Sequence, residues 1–184
     1  MAETRRGSPG AKDRGAAGPK AGAVEGGAKV PGRLDGALRV PADGPPELRM
    51  TRVLDAPRRR VFEAWRRAEQ LSRWFTPAPL TTPSCEVDLR TGGLFRLVMR
   101  TPDGVEFPMD ARFTEVVPEE RIAFAATIHG GVDVRTEIAL AERDGRTTMS
   151  VHQIYSRLTD AVRGAPAGWA QTLDQLGALL RERS

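Results

Sequence analysis

Between residues 85 and 155 the chain alternates apolar and polar side chains in six successive segments, and each segment ends on a short turn signal. The first two lie in CEVDLRTGGLFRLVMR, residues 85–100, and the second continues to Thr101; Thr91-Gly92 separates Cys85 to Arg90 from Gly93 to Thr101. Pro102-Asp103-Gly104 leads into Val105 to Val117, and Pro118-Glu119-Glu120 leads into Arg121 to His129. Gly130-Gly131 precedes Val132 to Glu142, and Arg143-Asp144-Gly145 precedes Arg146 to Tyr155. A period of two is the pattern of a half-buried strand. Connections this short make consecutive strands pair antiparallel. The pattern therefore predicts a meander of six strands, which restricts everything else the chain can do.

A single long helix follows. Trp169, Leu173, Leu176 and Leu180 fall at i, i+4, i+7 and i+11, one apolar stripe, with Asp174, Gln175 and Arg181 off it. Gly164 and Pro166 are expected to bend or delay its start. Upstream of the meander, Leu48, Met50 and Arg52 alternate with Arg49, Thr51 and Val53, which predicts a first strand from about Glu47. Asp55 is expected to cap a helix with Pro57 in its first turn and Val61, Phe62, Trp65 and Ala68 on its apolar face. Glu69 to Phe75 predicts a second short helix, stopped by Pro77 and Pro79. The fold class is α+β: a curved antiparallel sheet of about seven strands grips a long C-terminal helix, with two short helices after the first strand. A strongly curved sheet cannot pack flat on one helix, so a space is expected between them.

Residues 1–45 contain ten of the 19 glycines and no aromatic residue. Such a segment buries too little apolar surface to offset its ordering entropy. It is expected to be a disordered Gly/Ala/Pro/Lys-rich tail, with the folded domain over 46–184. The pI of about 9.9 invites a nucleic-acid partner. The charge is concentrated, however: the first 45 residues hold eight Lys or Arg against five Asp or Glu, leaving 20 against 19 for the rest. The body is close to neutral, and nucleic acid is not the expected partner; the tail as a basic tether is the alternative. No run approaches the ~18–20 apolar residues of a membrane span, and no secretory signal is recognisable. One cysteine, Cys85, excludes an internal disulfide and fits a reducing cytoplasm.

Catalytic signals are sparse. His129 sits beside a Gly-Gly turn, and His152 is out of phase with Met149, Val151 and Gln153, so neither is expected inside. No G-x-S-x-G elbow, phosphate loop or metal-ligand spacing occurs. Gly92-Gly93 is expected to serve a turn. Glu106, Asp110 and Arg112 alternate with Phe107, Met109, Ala111 and Phe113 and belong on a solvated face. Gln153 and Tyr155 share the phase of Met149 and Val151, so they bring polar groups into an apolar space. Their partner is a ligand or the C-terminal helix.

RVLDAPRRRVFEAW, LSRWF, CEVDLRTGG, FTEVVPEERIAF and GWAQTLDQL, in that order, resemble the SRPBCC superfamily, the START-like, birch-pollen-allergen-like helix-grip fold. Within it they are similar to homologues of the heat-shock-protein-90 ATPase activator C-terminal domain. The resemblance covers about residues 47–183. It implies a hydrophobic ligand cavity and marks architecture at Leu71, Trp74 and Phe75, at Asp88, Arg90, Gly92 and Gly93, at Pro118 and Arg121, and at Trp169, Leu173 and Leu176. It supplies no catalytic residue. The function expected is binding of a hydrophobic or amphipathic small molecule, with no cofactor, no metal and no committed catalysis. The expected lining is Trp74, Phe75, Phe95, Leu97, Met99, Met109, Phe113, Phe124, Gln153, Tyr155, Trp169 and Leu173. The alternatives are a polyketide cyclase/aromatase-like enzyme and a chaperone-activator-like module with a protein partner. Alternation alone does not distinguish a filled core from a pocket.

Overall fold

The structure, a computed structural model, describes residues 34–182. Eight strands and three helices follow in the order β1 (Leu34–Arg39), β2 (Glu47–Leu54), α1 (Arg58–Arg66), α2 (Ala68–Trp74), β3 (Thr81–Val87), β4 (Leu94–Arg100), β5 (Glu106–Val117), β6 (Arg121–Ile128), β7 (Val132–Arg143), β8 (Arg146–Tyr155) and α3 (Asp160–Arg181). They form one antiparallel sheet in the order β1-β2-β8-β7-β6-β5-β4-β3. From β3 to β8 the chain simply meanders, as the short turns require. β8 then pairs with β2, which carries the first half of the chain across to the other edge.

One face of each central strand is buried. β7 alternates without a break from Val132 to Leu140, and β8 from Thr147 to Tyr155. Bulges at Phe113/Glu115 in β5 and at Thr81/Ser84 in β3 interrupt the ladders. Bulges of this kind sharpen the local twist, and they occur in the half of the sheet that curls over α2. α3 lies in the hollow of the sheet. Its stripe of Trp169, Leu173, Leu176 and Leu180 is buried, and Arg52 of β2 is paired with Asp174 on its flank at 2.5 Å.

Four local expectations need correction. The sheet has an eighth strand, β1, inside the segment expected as tail; residues 1–33 lie outside the described residues. β1 has little apolar pattern of its own and is held by a six-residue register with β2. A Cβ at Gly36 would lie 2.6 Å from Met50 Cγ, so the close approach of β1 requires a glycine there. β3 starts at Thr81 rather than Cys85 and ends at Val87. The chain then turns tightly through Asp88 to Gly93, where a Cβ on Gly93 would collide with the Asp88 carbonyl oxygen. α1 has no side-chain cap: Pro57 supplies its carbonyl to Arg60 N and Val61 N, and Asp55 accepts instead from Arg146 on β8, 2.7 Å away. α3 begins before Gly164 and Pro166 and runs through both. Thr159 caps it by accepting from Val162 N, and Val162 is fully buried in its first turn, so anchoring at the terminus outweighs both helix breakers.

Candidate functional site

The space between sheet and α3 has two ends of different character. At one end, under α1 and α2, it is filled by aromatic rings. Trp65 meets Trp74 edge-on at 4.8 Å between centroids, and Phe75 meets Phe95 at 5.0 Å. Phe95 also stands edge-on to Phe124 at 5.4 Å and stacks on Phe113 at 5.7 Å. Edge-to-face packing at these separations is favourable beyond the area it buries.

At the other end, beside the first half of α3, the space stays open as a cavity of about 180 Å³. Six of the twelve expected lining residues border it: Phe75, Met109, Phe124, Gln153, Tyr155 and Trp169. Trp74, Phe95, Leu97, Phe113 and Leu173 instead pack in the filled core, and Met99 is only partly buried on β4. Sequence reasoning missed the helix wall: Ala161, Ala165, Gly168 and Thr172 line the cavity on one face of α3. Their spacing of four, three and four was the available signal. Small side chains there leave the volume that leucines would fill.

The cavity wall is apolar except for the Thr172 hydroxyl, which donates to Trp169 O at 3.1 Å, and one buried cluster. Gln153 Oε1 accepts from Trp169 Nε1 at 2.7 Å and from Tyr155 Oη at 2.5 Å, and Gln153 Nε2 donates to Thr136 Oγ1 at 2.8 Å. The partner from the C-terminal helix is therefore present. The indole N–H can only donate, so it fixes which end of the amide is oxygen. Tyr155, facing that oxygen, must donate as well. Burial pushes the Tyr155 phenol well above its ordinary range, so it keeps its proton at neutral pH.

The remaining candidates lie elsewhere. His152 is on the outer face of the sheet, 3.3 Å from Glu47 and 3.8 Å from Glu137, and its hydrogen bond holds the Glu47 carboxyl below the ordinary value of 4.5. His129 is exposed against Phe107. Cys85 is half-buried, and burial, with Glu69 nearby, pushes its thiol up to about 11, so little of it is thiolate at neutral pH. Glu106 and Asp110 pair with Arg100 and Arg96 on the exposed face, which also carries Arg112. Two larger hollows of about 450 and 660 Å³ also lie on that face. They are floored by small side chains such as Ala123 and Ala125 and rimmed by arginines and acids, so their walls are charged where that of the cavity is apolar. Among the described residues no three His, Cys, Asp or Glu side chains are grouped for a metal, and no helix is long and apolar enough to cross a membrane.

A curled antiparallel sheet gripping one long helix, with an apolar cavity left at one end, defines a helix-grip domain of the START-like class. The match of residues 55–181 to a family model narrows this: the chain belongs to the family described as Activator of Hsp90 ATPase homolog 1-like protein. Solved structures agree. Protein CV1439 from Chromobacterium violaceum is 31% identical, with 74% of this chain and 99% of that one covered at a TM-score of 0.67. Protein NE0264 from Nitrosomonas europaea is 28% identical over 77% of this chain and 97% of its own, also at 0.67. CalU16 from Micromonospora echinospora, 22% identical over 81% and 85% at 0.60, shares the fold. No curated protein matches the chain.

Proposed function

We propose that this protein binds a small, largely apolar molecule in the cavity between α3 and strands β5 to β8. The observation that carries this reading is the contrast within one interior. The aromatic end is packed, while the adjoining end keeps about 180 Å³ open behind small side chains. A protein gains stability by filling such space, with each buried methylene worth about 0.8 kcal/mol. A retained apolar cavity with few polar groups is the usual form of a ligand site. Among the described residues Tyr155 is the one titratable side chain that lines the cavity, and burial keeps it protonated, so the reading is of a binder without acid–base or nucleophilic machinery.

Native mass spectrometry of the purified full chain, with extraction of any bound molecule, tests the proposal. A reproducible one-to-one adduct is expected, and it should disappear in Ala165→Trp, which plugs the cavity from the helix side. An adduct that persists in a folded Ala165→Trp protein would place the ligand elsewhere.

The family description favours a second reading, contact with a chaperone ATPase. There the charged outer face of the sheet would carry the contact, and stimulation of chaperone ATP hydrolysis would survive Ala165→Trp.

A further inference from the structure

The hydrogen-bond accounting inside the cavity specifies what chemistry its occupant has. This inference rests on the binding function proposed above and deepens it. Gln153 Oε1 receives two hydrogens, from Trp169 Nε1 and Tyr155 Oη, so its acceptor capacity is used. Tyr155 has given its single hydrogen to that oxygen, so its own oxygen offers the cavity only lone pairs. Gln153 Nε2 gives one hydrogen to Thr136 Oγ1, which leaves a second amide hydrogen. The wall thus combines acceptors, Tyr155 Oη and the Thr172 hydroxyl whose own hydrogen goes to Trp169 O at 3.1 Å, with a nearby donor. A hydroxyl group matches both kinds, donating to an acceptor and accepting from the donor.

Charge and size narrow the class further. Among the described residues no Lys, Arg, His, Asp or Glu lines the cavity. An ion there would lose its hydration without a counter-charge, which costs far more than a hydrogen bond returns. The cavity volume of about 180 Å³ is close to that of an apolar cavity that holds one benzene ring, about 150 Å³. A polycyclic skeleton or a fatty acyl chain would have to leave most of its surface outside. Phe75, Phe124 and Trp169 present aromatic surface to whatever enters. We infer that the cavity takes an uncharged, ring-sized alcohol or phenol whose hydroxyl donates to Tyr155 Oη.

Four probes separate the components of this inference on the full chain: p-cresol, p-xylene, 4-methylanisole and 4-methylbenzoate, titrated by NMR at neutral pH. Cresol and xylene have the same shape and differ in the hydroxyl; the anisole keeps the oxygen but cannot donate. The expected result is that cresol binds more tightly than the anisole and the benzoate does not bind. In Tyr155→Phe the ratio of cresol to xylene affinity should fall about tenfold, the value of one net hydrogen bond near the upper end of its range. Taking the ratio cancels the difference in water solubility between the probes. A ratio unchanged in Tyr155→Phe, an anisole that equals cresol in the wild type, or a benzoate that binds would each overturn the inference while leaving the binding function standing. The wild-type comparison decides the matter even if the variant folds poorly. If none of the four binds, the binding function itself fails.

Discussion

The two ends of the interior contain the same chemical group in opposite circumstances. Trp65 is fully buried in the aromatic end, and its indole N–H has no hydrogen-bond partner among the described residues. Trp169 is almost as buried at the open end, yet its N–H is met by Gln153 at 2.7 Å. An unpaired buried donor costs about 1–3 kcal/mol, and the aromatic end bears that cost within dense ring packing. The open end has sparser ring packing, Phe75 against Trp169 at 5.9 Å, and is organised largely by directed bonds. The packed end relies mainly on ring contact, with Trp74 Nε1 also donating to Ala64 O at 3.0 Å, while the open end adds a network of side-chain hydrogen bonds and leaves room.

The largest effect that would break this contrast is expected in the packed end. Phe95→Ala removes a ring that touches four others, and should lower the unfolding free energy by about 3–5 kcal/mol in a urea titration. Gln153→Leu attacks the other end. It strands the Tyr155 hydroxyl and the Trp169 N–H together, and a loss of about 2 kcal/mol is expected. A loss as large as that of Phe95→Ala would show that the open end is not the softer one. Gly168→Ala sharpens the contrast with the opposite sign. The new Cβ would have Pro77 Cγ at 3.9 Å as its nearest neighbour, so it fits. Helix propensity should then raise stability by about 0.5–1 kcal/mol, while p-xylene binds less well in the reduced volume. The smallest effect lies outside both ends. Glu47 has a depressed carboxyl pKa because of His152. The stability it contributes is complete above the ordinary value of 4.5 and is lost as pH falls through its lower folded value. Wild type and Glu47→Gln should therefore differ in melting temperature at pH 7 and converge once the pH lies below that folded value.

The sheet and the long helix were legible because both depend on strict periodicity. Val134, Thr136, Ile138 and Leu140 cannot change face without a one-residue slip of the whole strand. β1 was not legible, since Gly36 and Ala37 carry no pattern and only the partner strand β2 gives them one. The site was half legible for a related reason. Alternation states which side chains face inward, and it placed Phe95 and Phe124 on the same face correctly. Whether that face meets a ring or a void depends on what stands opposite, and the opposite wall is built from alanine and glycine on α3. The absence of large side chains is a weaker signal than their presence. Asp55 shows a similar limit: its sequence position favoured a helix cap, but Arg146 on a distant strand claimed the carboxylate.

The placement of the three tryptophans has an optical consequence. Trp65 and Trp74 are locked among other rings, out of reach of anything that enters the cavity. Trp169 alone borders it, with its indole nitrogen held in a fixed direction by Gln153. Two of the three fluorophores therefore provide a constant background, and the third changes its emission when its surroundings change. The protein is its own gauge of occupancy: a Trp65→Phe, Trp74→Phe double variant that still folds would report the filling of the cavity through a single band, without any label attached.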